Sequence, residues 1–390
     1  MSQPESSEHG SLVIHSARIV SAGSVTEDGW VRFERGVVAA RGTGRDWTVA
    51  DTVVDATEVA GVGAVLTPGF IDIHGHGGAG AAFDDGAEAI RTARAMHRSH
   101  GTTRAVVSLV TASVDELAAR AGAIADLMET DGDLLGSHLE GPFLDPGHKG
   151  AHDPGLLRAP EPDDVRRLLQ AGRGTVRQVT LAPELPGGLE AIRIVVAAGA
   201  AAAVGHTDAD DATMRAAFDA GATILTHAFN AMRPVHHREP GPVLTAANDE
   251  RVTLEAITDN FHLHPQVIKL VFDEAPGRVA LITDAMAAAG SEDGDYMLGS
   301  LHVTVVDGMA RVDTGSIAGS TLTQDVALRN TVAAGVPLVD AVRALTRTPA
   351  RAIGFAEGLG ELDPGFLADA VLLSADLDVI RVWTGAPLAR

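Results

Sequence analysis

An alternation of short apolar runs with Ala-rich stretches is the strongest constraint on how this chain can fold. The runs are GFIDI (69–73), RAVVSLV (104–110), LLGSHLE (134–140), RQVTLA (177–182), AAAVGH (201–206), TILTH (223–227), VTLEAITD (252–259) and VALITD (279–284). They recur about every 30 residues, the length of one strand plus one crossover helix. Segments 88–99 and 209–220 between them carry apolar residues at helical spacing. Eight such units in succession predict an α/β fold, a closed (β/α)8 TIM barrel, with an open doubly wound sheet as the alternative.

The two ends have a different texture. From residue 11 to about 66, runs such as LVIHSARIV, WVRF and DTVVDA alternate with Gly and charged turns, and no helix of any length fits. Segments 369–374 and 379–383 read as two more strands. We therefore expect a small β-sandwich domain built from both chain ends, residues 1–65 and 358–390, around a barrel at 66–357. Residues 298–318 read as a hairpin turning at Asp307-Gly308, inserted after the eighth strand and followed by helices at 323–334 and 338–352.

Composition narrows the chemistry. Lys and Arg number 30 against 52 Asp and Glu, a formal charge of −22 that repels phosphate backbones and anionic lipid, so no nucleic acid or membrane partner is expected. An anionic small molecule would need a local cluster of Arg and His. With no cysteine, any metal has nitrogen and oxygen ligands. The first ten residues lack the pattern of a signal peptide. The apolar stretch 194–204 falls short of the roughly 20 residues that span a bilayer, so the expectation is a cytoplasmic enzyme.

The informative polar residues stand at the C-terminal ends of the strand candidates. These are His74 and His76, Glu140, His206, His227 and Asp284. In a barrel those ends share one face, where barrel enzymes build their sites. Imidazole and carboxylate together suit Zn, Fe, Mn or Co, and two adjacent ions can share a bridge. Spacing alone is weak: among 16 histidines His-x-His occurs twice, at His74/His76 and His262/His264. The first pair stands out because it sits at the mouth of an apolar strand before Gly75, Gly77, Gly78 and Gly80. That Gly run lacks the Lys-Ser/Thr ending of a P-loop and reads as a flexible loop.

These residues sit in blocks that resemble a known family. Pro68-Gly-Phe-Ile-Asp-Ile-His74-Gly-His76, with a sheet domain split between both termini, is similar to the amidohydrolase superfamily. Within it the resemblance is to the N-acetylglucosamine-6-phosphate deacetylases, through His138-Leu-Glu140-Gly-Pro, Lys149-Gly-Ala-His152, Gly205-His206-Thr-Asp, His227-Ala-Phe-Asn230-Ala-Met232, Arg238-Glu-Pro-Gly, Asp259-Asn-Phe-His262 and Thr283-Asp284-Ala-Met. The resemblance implies hydrolysis of the acetamide of N-acetylglucosamine 6-phosphate, in amino-sugar catabolism, on one or two divalent ions per subunit, zinc first and Fe, Mn or Co otherwise. It implies that Glu140, His206 and His227 hold one metal and that His74 and His76, with Asp284 close by, complete a second site. Asp284 is then the proton shuttle and His152 the oxyanion donor. His262, Arg238 and the backbone amides near Asn230 and Ala231 would grip the phosphate of a small amino-sugar phosphate, with Arg238 reaching across a homodimer interface.

Lys149 and Lys269 are the only lysines and neither stands at a strand end, so Glu140 replaces the carboxylated lysine that bridges many two-metal relatives. Asn260 stands where the resemblance leads one to expect Gly. His9, His15, His97, His100 and His302 read as structural, and His236, His237 and His264 as intermediate. Three other readings compete: a deacetylase for N-acetylgalactosamine 6-phosphate, which differs at the C4 hydroxyl; a cyclic-amide or deaminase type of amidohydrolase, which the Arg238 and His262 cluster argues against; and an inactive barrel serving as a binding scaffold.

Overall fold

The computed structural model describes residues 10–387, so His9 and the outer ends of the expected terminal domain lie outside the described residues. Eight parallel strands form the barrel: β1 (Phe70–Asp72), β2 (Thr102–Val110), β3 (Leu134–Glu140), β4 (Val176–Leu181), β5 (Ala201–Val204), β6 (Ile224–Leu225), β7 (Thr253–Ala256) and β8 (Val279–Leu281). Each is hydrogen-bonded to its neighbour in sequence. The ring is drawn together just beyond the strand ends, where the Asp284 N–H donates to the His74 carbonyl at 2.8 Å. Beside it the Asp72 carboxylate accepts from the Thr283 hydroxyl at 2.6 Å. Strands β2 and β3 are buried along their whole length because helices cover one face and barrel-filling side chains the other.

The helices follow from their apolar spacing. In Ala87–Ser99 the buried positions are Ile90, Ala93, Arg94 and His97, one face of a helix. Ser113 starts Val114–Leu127 with a capping box, its side chain accepting from the Glu116 N–H. The single helix expected at 338–352 is instead two, Leu338–Leu345 and Arg347–Ala352, broken at Thr346. Pro349 explains the break: in a continuous helix its ring would clash with the carbonyl four residues back, whereas the first turn of a new helix tolerates it.

The chain ends build one seven-stranded sheet in the order Val379–Trp383, Ala370–Leu373, Val65–Pro68, Ser11–Ser21, Ser24–Glu34 and Val37–Thr43, with Thr52–Asp55 pairing Ser11–Ser21. Side chains alternate between its faces. Leu12, Ile14, Leu66, Leu372 and Trp383 fill a core of their own. Val20, Val65, Val371 and Leu373 face the barrel and join its core. A five-residue helix, Ala56–Ala60, corrects the expectation that the N-terminal module holds none. Asp55 makes it possible by accepting from the N–H groups of Thr57 and Glu58.

The insertion after β8 has three strands rather than two: Gly294–Leu298, Leu301–Val306 and Met309–Val312. The turn at Asp307-Gly308 is where expected, with φ of 51° and 75°, the left-handed pair a two-residue hairpin needs. The first strand was not foreseen because GDYML carries no clear alternation. Among the described residues no helix is long and apolar enough to cross a membrane.

Candidate metal centre at the barrel mouth

The barrel brings all six strand-end candidates to one face, and all are buried, from His74 at 0% exposure to Asp284 at 8%. Glu140 is the last residue of β3; the others lie in the turns just after β1, β5, β6 and β8. His206, His227 and Asp284 have φ of 49°, 27° and 48°. Non-Gly residues rarely adopt this left-handed backbone, which costs on the order of 1–3 kcal/mol each. Such strain at three of six positions is the mark of a site whose geometry outweighs local preference.

Around Glu140 two groups of ligand atoms form. In the first, His76 Nε2 is 3.1 Å from Glu140 Oε2 and 3.2 Å from Asp284 Oδ1. His74 Nε2 lies 3.4 Å from Glu140 Oε1, 3.5 Å from Asp284 Oδ1 and 3.2 Å from His76 Nε2. In the second, His206 Nε2 and His227 Nε2 are each 3.2 Å from Glu140 Oε1 and 2.9 Å from one another. His152 Nε2 adds a contact 3.6 Å from Glu140 Oε2. Glu140 is common to both groups, as a bridging carboxylate would be.

The donor set itself tests the fit of a cation. His74 Nδ1 faces the Glu255 carboxylate at 3.0 Å, and His206 Nδ1 faces the His148 carbonyl at 2.9 Å. With the proton on each Nδ1, each Nε2 presents a lone pair to the cluster. Lone pairs and carboxylates therefore converge, and without a cation protons must supply the positive charge. Burial disfavours charge on His76, yet its hydrogen bonds to Asp284 and Glu140 push it up to about 9. His74 is likewise raised well above its ordinary value against the effect of burial, by Glu140, Asp284 and Glu255. Burial would raise Glu140, but His74, His206 and His227 hold it far below the usual carboxylate range. A divalent cation fits this chemistry better than a set of shared protons.

Beneath the cluster lies a layer that sequence reasoning did not find. Glu255, at 0% exposure on β7, accepts from Gln178 Nε2 at 2.8 Å and from the His227 N–H at 3.3 Å in addition to meeting His74. His138 bridges Ser108 Oγ at 2.9 Å and Thr180 Oγ1 at 2.8 Å, its ring edge-on to His74. Burial pushes the Asp72 carboxyl up to about 6 despite its bonds to Thr283 and the His74 N–H. The available signal was a carboxylate in the middle of the apolar run VTLEAITD, since a charge at such a position needs partners.

A cavity of about 390 Å³ opens on the cluster. Its walls include His152, Asn230, Ala231 and His262, with Leu298 and Ile317 contributed by the inserted sheet. Asp259 anchors His262 by accepting from its N–H at 2.8 Å and meeting its Nδ1 at 2.7 Å. Burial opposes charge on that ring, but Asp259 outweighs it and raises its pKa. Asn260 takes a left-handed φ of 66°, so it serves the turn in which Gly was expected. The Asn230 N–H is spent on the His227 carbonyl at 3.0 Å, which leaves Ala231 as the backbone amide without a partner among the described residues. Arg238 is exposed and does not line the cavity of its own chain.

The histidines read as structural stay off the mouth. His15 stacks on Trp47, His97 meets the Gly77 carbonyl at 2.9 Å, His100 pairs Asp325 at 3.0 Å, and His302 is exposed near Asp295. His236, His237 and His264 are exposed.

A model of the amidohydrolase family matches residues 65–386. An N-acetylgalactosamine-6-phosphate deacetylase of Escherichia coli O157:H7 is 39% identical over 375 residues, spanning 94% of this chain and 97% of the relative. An N-acetylglucosamine-6-phosphate deacetylase of Vibrio furnissii is 35% identical, over 82% of this chain and 81% of the relative. Among solved structures, a mutant N-acetyl-D-glucosamine-6-phosphate deacetylase from Mycobacterium smegmatis in complex with N-acetyl-D-glucosamine-6-phosphate superposes with a TM-score of 0.91 at 42% identity, covering 96% and 98% of the two chains. With the barrel, its sheet from both ends and the His-His-Glu-Asp cluster at its mouth, the chain belongs to the amidohydrolase family.

Proposed function

We propose that this chain hydrolyses the acetamide of N-acetylglucosamine 6-phosphate to glucosamine 6-phosphate and acetate, in amino-sugar catabolism in the cytoplasm. The observation that carries the reading is the convergence of carboxylates and imidazole lone pairs beside a cavity of about 390 Å³ that has His262 in its wall. The deacetylase relatives supply the substrate class. His74, His76, Glu140, His206, His227 and Asp284 would hold one or two divalent ions, zinc first and Fe, Mn or Co otherwise, with Glu140 as the bridge. When bound, such an ion acidifies water towards a pKa of about 7 and polarises a carbonyl.

The protein's own groups do the rest. Asp284 has its carboxyl held low against burial and the nearby Glu140 by positive charge on His74 and by the His76 hydrogen bond, a charge that a divalent ion would supply in their place. Its carboxylate takes a proton from the attacking water as the O–C bond forms, and passes it to the nitrogen as the C–N bond breaks. Acetate and the amine are the products. Burial, reinforced by His206, drives the His152 imidazole down to about 3, so it is neutral and retains one N–H to donate to the developing oxyanion. His262, whose cationic form Asp259 favours, and the Ala231 N–H, without a partner among the described residues, receive the phosphate. Arg238, exposed and away from the cavity of its own chain, would complete that grip from a second copy in a homodimer. A guanidinium offers two parallel charge-assisted bonds to phosphate.

A second reading, the galacto epimer as substrate, is favoured by the 39% identical Escherichia coli relative. Parallel assays of acetate release from the two sugar phosphates separate the readings. Higher kcat/KM on the gluco substrate supports the first, and the reverse order replaces it with the second.

A further inference from the structure

We propose that Glu255 is a positioning residue for this centre, a buried carboxylate that never meets substrate but fixes His74 in its metal-binding tautomer and holds the turn carrying His227. The inference rests on reading the cluster as a metal centre.

A carboxylate at 0% exposure in a strand buried at every position is expensive unless donors surround it. Glu255 has three, each from a different part of the barrel: His74 Nδ1 after β1 at 3.0 Å, Gln178 Nε2 from β4 at 2.8 Å, and the His227 N–H after β6 at 3.3 Å. Its backbone carbonyl also accepts from the Ala228 N–H at 2.8 Å, so one residue ties down the turn that bends His227 inward. It is not among the residues lining the cavity.

For His74 the consequence is specific. A neutral imidazole carries one proton, and an acceptor at Nδ1 fixes it there. Nε2 then offers its lone pair towards His76, Glu140 and Asp284. In the other tautomer an N–H would point into the cluster and the ligand would be lost. Among the described residues the ring has no other polar partner on its Nδ1 side, and His138 packs against it edge-on at 4.5 Å between centroids.

Gln178 makes a discriminating test possible. Its Oε1 is buried without a hydrogen-bond partner, so turning the side-chain amide breaks no bond at that oxygen and gives up only the long 3.5 Å contact of Nε2 with His138 beside the one to Glu255, letting Gln178 accept instead of donating. In E255Q the new amide oxygen can occupy the position of Oε2, and Gln178 can turn to accept from the new N–H. In E255L both His74 and the His227 N–H lose their acceptor. The experiment strips full-length protein of metal, then titrates zinc in competition with a chromophoric chelator while bound zinc is counted by mass spectrometry. E255L is expected to bind zinc about 10- to 100-fold more weakly, the usual cost of losing such a partner, and E255Q to recover most of that loss. A merely structural role would lower the melting temperature of both variants without this split. Zinc binding by E255L within roughly threefold of the unsubstituted protein would overturn the proposal, as would equal losses in E255L and E255Q. If E255L does not fold, Q178L removes the donor that fixes the carboxylate: a loss of zinc affinity beyond roughly threefold supports the role and no loss overturns it. Absence of zinc binding by the unsubstituted protein would instead sink the metal reading itself.

Discussion

Charge is buried at both ends of the barrel, in opposite ways. At the closed end the Arg104 guanidinium, fully buried at the start of β2, meets Asp369 of the terminal sheet at 2.7 and 3.0 Å and donates to the carbonyls of Gly132 and Ala386. Arg94 and Arg98 share Asp133, and Arg91 meets Asp131 at 2.9 Å. Burial would raise the Asp133 carboxyl, but Arg94 and Arg98 outweigh it and hold it low. Each guanidinium there meets a carboxylate, Arg94 and Arg98 the same one. At the mouth, acceptors face acceptors and three residues sit in left-handed backbone. Complementary burial ties the β domain to the barrel; uncompensated burial reserves a place for something the chain does not itself contain. The same fold thus separates stability from chemistry by end.

That contrast can be broken by substitution. Asp284→Asn should lower kcat by about 10² to 10⁴, the usual worth of a positioned acid–base group, while circular dichroism stays near that of the unsubstituted protein and the metal held by Glu140, His206 and His227 is retained. Retained turnover would remove Asp284 from proton transfer. Arg104→Met at the other end should do the converse. Stranding Asp369 in the interior costs about 3–5 kcal/mol of unfolding free energy, measured by denaturant titration, with kcat/KM of the folded fraction unchanged.

Smaller effects sharpen the anion end of the site. Arg238→Ala should raise KM for the phosphorylated sugar by about 10- to 100-fold, in line with roughly 1.5–3 kcal/mol for a charged hydrogen bond, and leave the unphosphorylated sugar unaffected. An unchanged preference between the two sugars would exclude Arg238 from phosphate binding. The least effect is a shift in pH dependence. The His262 pKa is raised, so its cation persists below that pKa and is lost as pH climbs through it. Affinity for phosphorylated substrate should therefore hold at lower pH and fall on the alkaline side, as should the stability that the His262–Asp259 pair contributes. Asp259→Asn should move that fall to lower pH, and a KM profile that does not move would clear His262 of the role.

Much of this was legible in the letters, for definable reasons. Barrel strands are buried on both faces and so read as unbroken apolar runs, and the residues just past them, His74 to Asp284, are conspicuous because polar groups interrupt apolar texture. What stayed hidden depends on distance in sequence or on exceptions within a run. Arg104 looked like the first letter of a strand, and its partner lies 265 residues away. Glu255 sat in the middle of a strand candidate as a carboxylate whose three partners come from β1, β4 and β6 territory. Pro349 marked the helix break, yet apolar periodicity on either side masked it. The short β6, only Ile224–Leu225, is shorter than TILTH suggests because the β-branched Thr226 prolongs the strand texture into the turn where His227 takes a left-handed φ of 27°.

The most direct measurement is acetate release from N-acetylglucosamine 6-phosphate by metal-stripped protein resupplied in turn with Zn, Fe, Mn or Co, with bound metal counted in each sample. A metal-dependent deacetylase is silent when stripped, recovers with one or two ions per chain, and works far less well on the unphosphorylated sugar. Full activity in the stripped protein would contradict a metal centre at the barrel mouth. No activity on either the gluco or the galacto phosphate, with ions bound, would contradict the deacetylase reading.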